Sequence, residues 1–176
     1  MSVEVFLPVG LVWEFFTNPV HIKEWSFASP DWHSPWAKND LRVGGTFATR
    51  MEAVDGSQGF DFEGTYTAVT PEENFAYELA DGRTISVEFV EINGGTKVTE
   101  IFDPETENPI EMQRHGWQSI LDNFKQYAEM TIRDNRTSDT GTYMMAGGGE
   151  KKSSDDSRDI DENSSDAGSD GGGGGD

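Results

Sequence analysis

Cysteine is absent from the 176-residue chain, which excludes disulfides, thiolate catalysis and zinc–cysteine sites. Positive charge is scarce: 13 Lys and Arg stand against 33 Asp and Glu, a formal net charge of −20. An acidic surface repels phosphate backbones and anionic membranes, so neither a nucleic-acid partner nor membrane insertion is expected. No run of about 18 apolar residues is present, so no transmembrane helix is expected. The stretch Met1 to Pro8 also lacks the basic start and apolar core of a signal peptide. A cytoplasmic protein is the expectation. The three histidines, His21, His33 and His115, are not spaced as metal ligands. Nucleophile-elbow, phosphate-loop and paired-carboxylate motifs are missing, and Gly44-Gly45 suits a strand entry better than a phosphate. No metal, cofactor or catalytic residue is therefore assigned.

What is present divides in two. Residues 1–133 hold 22 acidic and 9 basic residues, and residues 134–176 hold 11 and 4, so the acidity belongs to both parts. The first part has the composition of one domain. The second is rich in Gly, Ser and Asp and can bury too little surface to offset the entropy of ordering, so it reads as a disordered acidic tail. Asp159, Asp161 and Asn163 begin like a calcium loop. Ser164 and Asp170 replace the glycine and glutamate that such a loop needs, so calcium is not expected.

One stretch, Pro109 to about Met130, reads as a long amphipathic helix. Ile110, Trp117, Ile120, Leu121, Phe124, Tyr127 and Ala128 recur at the spacing of one helical face, and Pro109 suits a first helical position. Such a stripe must be buried against another layer, and the residues before it supply strands. Residues 2–7 alternate as a strand. Val9, Val12, Trp13 and Phe16 form a two-turn helix, and a second short helix follows, capped by Asn18 and begun by Pro19.

Residues 46–54 and 60–68 form a hairpin, with Met51 expected opposite Phe62 and Arg50 opposite Glu63. That register sets Glu52 against Asp61, a like-charge cost. Strands 74–80 and 83–92 share an apolar face only across a three-residue loop, Ala80-Asp81-Gly82, with Gly82 left-handed. Asn93-Gly94 then makes a two-residue turn that pairs Phe89 with Val98 and Val87 with Glu100. Glu100 is thereby placed on the apolar face, where a carboxylate needs a partner or a proton.

Trp25, Phe27, Trp32, His33 and Trp36 crowd a stretch without periodicity; either they seal the end of the core or they line the mouth of a ligand cavity. On the long helix, at about 100° per residue, the apolar stripe centres near Trp117 and Phe124. Gln113 and Arg114 fall at its edges, His115 points away, and His21 is expected on an exposed face of the second helix. Glu100 with Gln113 or Arg114 is the best polar constellation. It serves either as an ion pair fixing the helix or as a polar handle for a ligand.

Several segments carry a resemblance: Pro8 to Glu14, Thr17-Asn18-Pro19 with Ile22 and Trp25, and Asn39 to Gly45. Phe60 to Tyr66, Gly95 to Glu100 and Gly116 to Phe124 continue it. In this order they resemble the START/Bet v 1-like (SRPBCC) superfamily, and within it the single-domain form of the activator of heat-shock-protein-90 ATPase homologues. The resemblance implies an α+β helix-grip fold. A curved antiparallel sheet of about six strands wraps the long C-terminal helix, with two short helices after the first strand and a cavity between sheet and helix. Many superfamily members bind lipids or other apolar molecules there, and some are polyketide cyclases or hydrolases. The co-chaperone that names the family has an added N-terminal client-binding domain, for which no room is expected before the first strand.

The leading expectation is thus a binding domain for an apolar small molecule. A heat-shock-protein-90 contact and a cyclase- or hydrolase-like enzyme using Glu100, His33 or a tyrosine are the alternatives. The candidate ligand-binding residues are Trp25, Trp32, His33 and Trp36 from the aromatic stretch and Met51, Phe62, Tyr66, Tyr77 and Glu100 from the strands. The long helix adds Gln113, Arg114, Trp117 and Leu121.

Overall fold

Strict alternation of buried and exposed side chains along 74–79, 84–89 and 95–100 gives the central strands one apolar face. In the computed structural model, which describes residues 1–145 and side chains up to 135, that face curls around a long helix. The order is β1 (Ser2–Val5), α1 (Val9–Thr17), α2 (Pro19–Trp25), β2 (Trp32–His33), β3 (Ala37–Asn39), β4 (Thr46–Ala53) and β5 (Gly59–Thr70). It continues with β6 (Asn74–Leu79), β7 (Thr84–Ile92), β8 (Gly95–Phe102) and α3 (Ile110–Met145). One antiparallel sheet runs β1-β8-β7-β6-β5-β4-β2, with β3 also paired to β4. The fold is the expected helix grip. The described sheet has eight strands where about six were expected, because β2 and β3 span only two and three residues, too short to show a period.

The turns of the β6–β8 meander follow their chemistry. Gly82 is left-handed (φ 85°), and the Leu79 N–H donates to the Arg83 carbonyl at 2.9 Å across the three-residue loop. Beyond the Asn93-Gly94 turn, Phe89 faces Val98 and Val87 faces Glu100. The β4–β5 hairpin keeps the expected faces but is slipped by two residues: Met51 faces Phe60, Arg50 faces Asp61, and Glu52 faces Gly59. An even slip leaves the apolar face unchanged, so parity could not detect it. Charge favours the observed register. The Glu52–Asp61 opposition disappears, and the Arg50 guanidinium donates to Glu52 and to Asp61, each at 3.1 Å. The Phe47 ring lies over Gly64, where an added Cβ would come within 2.8 Å of it.

The helices close the concave face. Asn18 caps α2 by accepting from the Val20 N–H at 3.0 Å, and Pro19 opens it. Phe124 of α3 is fully buried, its ring centroid 4.8 Å from Phe16 and 5.0 Å from Trp25. His21 is not on an exposed face. Its Nδ1 lies 2.7 Å from the Tyr127 hydroxyl and its ring 4.6 Å from Phe15, because the seven-residue α2 is held between α1 and α3. α3 runs past Met130 to Met145, so residues 134–145, which composition assigned to the tail, continue the helix. Elongating a formed helix costs far less than nucleating one. The remaining tail, with Asp159, Asp161, Asn163, Ser164 and Asp170, lies outside the described residues.

Candidate functional site: a chamber and a groove under the long helix

Two neighbouring spaces lie between sheet and α3. The inner one is a chamber of about 70 Å³. Outside it, at the N-terminal half of α3, lies a groove of about 360 Å³. Met51, Phe62, Trp117 and Ile120 border both, so the chamber and the groove lie side by side.

Alternation builds the chamber's polar end. Glu100 is the inward residue of β8 opposite Val87, and it is only 5% exposed. Burial pushes its carboxyl up to about 7, and the Met1 ammonium partly opposes that shift. The ammonium itself donates to the backbone oxygen of Glu100 at 2.8 Å. Among the described residues none hydrogen-bonds or ion-pairs with the Glu100 carboxylate. Tyr77 and Tyr66 share the chamber with it. Burial, then the charge of Glu100, holds the Tyr77 phenol well above its ordinary value. Burial also raises that of Tyr66, against the pull of its bond to Asn39. The Tyr66 hydroxyl donates to Asn39 Oδ1 at 2.8 Å, and Asn39 Nδ2 donates to the Thr17 carbonyl at 2.6 Å, which pins β3 to the end of α1. The Trp25 indole donates to the Phe15 carbonyl at 3.1 Å, leaving its ring face to the chamber.

The sequence-derived candidates separate accordingly. Trp25, Met51, Phe62, Tyr66, Tyr77, Glu100 and Trp117 meet at the chamber. Trp32 and Gln113 line the groove with Met51, Phe62 and Trp117. The other four lie apart from both spaces. His33 is paired with Glu52 on an edge strand, and alternation sends it outward, its Nε2 3.5 Å from Glu52 Oε1. Trp36 is 38% exposed, with the Lys38 ammonium 5.5 Å from its ring. Leu121 is buried in the core.

Arg114 is exposed and reaches Glu111, one turn back, at 3.8 Å. The expected pairing of Glu100 with Arg114 or Gln113 is therefore not formed. Gln113 instead ties down the loop before α3. Its Nε2 donates to the carbonyls of Asn108 at 2.7 Å and Glu105 at 3.1 Å, and its Oε1 accepts from the Glu105 N–H at 2.9 Å. A side chain spent on capping a loop is not available to a carboxylate across the sheet.

Sequence reasoning missed Thr49 and Asn39 in the chamber and Phe60, Arg83 and Gly116 in the groove. Thr49 shares the inward parity of Phe47 and Met51 and was legible by that signal. Asn39 sits on a three-residue strand with no period to reveal it.

An antiparallel sheet gripping a long helix over an apolar space with one buried carboxyl defines a domain of the helix-grip class. The chain belongs to the family described as activator of Hsp90 ATPase homolog 1-like protein, whose pattern matches residues 7–129. Among solved structures it is similar to the AHSA1-like protein of Aeromonas hydrophila, at 43% identity over 74% of this chain and 92% of that one (TM-score 0.69). A Cytophaga hutchinsonii protein solved in solution shares 44% identity over 76% and 92% of the two chains (TM-score 0.65). A Nitrosomonas europaea protein shares 26% over 74% and 93% (TM-score 0.65). No curated protein matches the chain. Among the described residues no helix is long and apolar enough to cross a membrane.

Proposed function

We propose that the domain binds an apolar or amphipathic small molecule between sheet and α3. The supporting observation is the groove. Its volume of about 360 Å³ reaches the range of about 300–1,000 Å³ typical of ligand sites. Trp32, Phe60, Phe62 and Trp117 give it apolar walls. The chamber alone, at about 70 Å³, holds no ligand of that size. The groove carries the body of the ligand and the chamber receives one end.

Native mass spectrometry of the purified protein, together with titration of an apolar fluorescent dye, tests this reading. A retained small molecule displaced by the dye is the expected result. Protein without retained ligand that also leaves the dye unbound at concentrations of about 100 μM overturns it. The family's description favours a second reading, contact with heat-shock-protein-90 and stimulation of its ATPase. An ATPase assay with excess domain decides that one, and an unchanged rate rejects it.

A further inference from the structure

We propose that the chamber selects ligands by the chemistry of their polar end: it takes an amphiphile whose head donates hydrogen bonds and carries no negative charge, an alcohol or a primary amine, inserted head-first against Glu100. The inference rests on the ligand-binding reading above and names the ligand class of the same site.

Three features carry it. First, the chamber holds one charged acceptor that no described residue satisfies, beside neutral hydroxyls that both donate and accept. The Glu100 carboxyl is nine-tenths buried and lines the chamber, none of the described residues bonds to it, and once ionised it only accepts. The Tyr77 hydroxyl beside it makes no hydrogen bond with the described residues, so it too can turn towards an incoming head. A buried polar group left unpaired costs free energy, and a ligand donor placed there recovers it.

Second, charge is one-sided. Among the described residues Glu100 is the only ionisable acid or base that lines the chamber apart from the two phenols, and no cationic side chain lines it. The positive charge that acts on it, the Met1 ammonium, is bonded to the Glu100 backbone oxygen. A carboxylate or phosphate head would meet repulsion there with no compensating side chain among the described residues.

Third, the sizes agree. A chamber of about 70 Å³ accommodates a head of about two or three non-hydrogen atoms, judged by the roughly 30 Å³ share of a water molecule. It is too small for an alkyl tail, which the apolar groove accommodates. Arg83, the one cation among the described residues that line the groove, is paired with Asp81 at 2.8 Å, so an acid bound tail-first would have to compete for it.

The test is titration of the full chain at pH 8 with octylamine, 1-octanol and octanoate, read by calorimetry and by the fluorescence of Trp25 and Trp117 beside the chamber. Octylamine and octanol are expected to bind at least about tenfold more tightly than octanoate. Glu100→Gln is expected to weaken octylamine at least about tenfold while octanol changes less than about threefold. The wild-type series stands even if the variant fails to fold. Octanoate binding as tightly as octylamine overturns the inference in favour of tail-first entry. So does an octylamine affinity unmoved by the folded variant. If all three probes fail while the apolar dye still binds, head selection is wrong and ligand binding stands. If the dye fails as well, both fall.

Discussion

Tyr77 and Glu100 face one chamber, close enough that the carboxylate adds to burial in holding the phenol protonated. Their proximity follows from strand parity. Tyr77 pairs with Ile85 across β6–β7, and Val87, two residues on, pairs with Glu100 across β7–β8. Three adjacent strands thus bring an acid and a phenol to the same side, in a chamber that no cationic side chain among the described residues lines.

The cost of that arrangement depends on pH. The Glu100 carboxyl holds its proton up to about pH 7 in the folded protein, against 4.5 in the unfolded chain. Between these values the folded state binds more protons, so the group's contribution is fully present below pH 4.5 and is lost as pH rises through 7. The full swing is roughly 3 kcal/mol. Glu100→Gln abolishes it, so the variant is expected to gain roughly 2–3 kcal/mol on the wild type between pH 5 and pH 8. Urea unfolding of both proteins at the two pH values measures this gain. An equal stability difference at both would show that Glu100 does not titrate in the window.

Arg50 distinguishes the observed β4–β5 register from the one read by parity. A double-mutant cycle between Arg50 and Asp61 is expected to show a small favourable coupling above error, as suits a partly exposed cross-strand pair. The cycle between Arg50 and Glu63 should show none within error. Coupling to Glu63 instead would restore the register two residues away.

That register shows where sequence reading stops. The meander of β6–β8 was legible in full, because Gly82 and Asn93-Gly94 set loop lengths and alternation then fixed every pair, Glu100 included. In β4–β5 the loop Asp55 to Gly59 admits more than one length, and parity cannot separate registers two residues apart. α3 was legible as an amphipathic helix from Trp117 to Ala128, but its polar edge was not. Helical angles bring Gln113 and Arg114 near the sheet, whereas local partners decide where they reach: the 105–108 loop for one and Glu111 for the other. The face that would carry a ligand was readable, and the volume behind it was not. Gaps depend on how Trp117, Phe62 and Met51 pack, and composition is silent on that.

Phe124 is the side chain on which the grip depends most. It is fully buried between Phe16 and Trp25, so Phe124→Ala removes a ring that joins α1, α2 and α3. A loss of about 3–5 kcal/mol is expected. Thermal or urea unfolding checks it, and a loss below about 1 kcal/mol would mean that α3 is not held by this contact.

Gly116 allows the ligand reading to be tested without weakening the fold. It lines the groove on α3, and an added Cβ there meets nothing within 4 Å. In a helix interior, replacing glycine with leucine favours the folded state by roughly 0.5–1 kcal/mol. Gly116→Leu is therefore expected to raise the unfolding midpoint slightly while its side chain occupies the space between Trp32 and Trp117. Affinity for the apolar dye should fall at least about tenfold, a loss of about 1.4 kcal/mol in binding. Stability gained with dye binding intact would move the ligand site away from the groove. Stability lost would mean that the groove is already filled in solution.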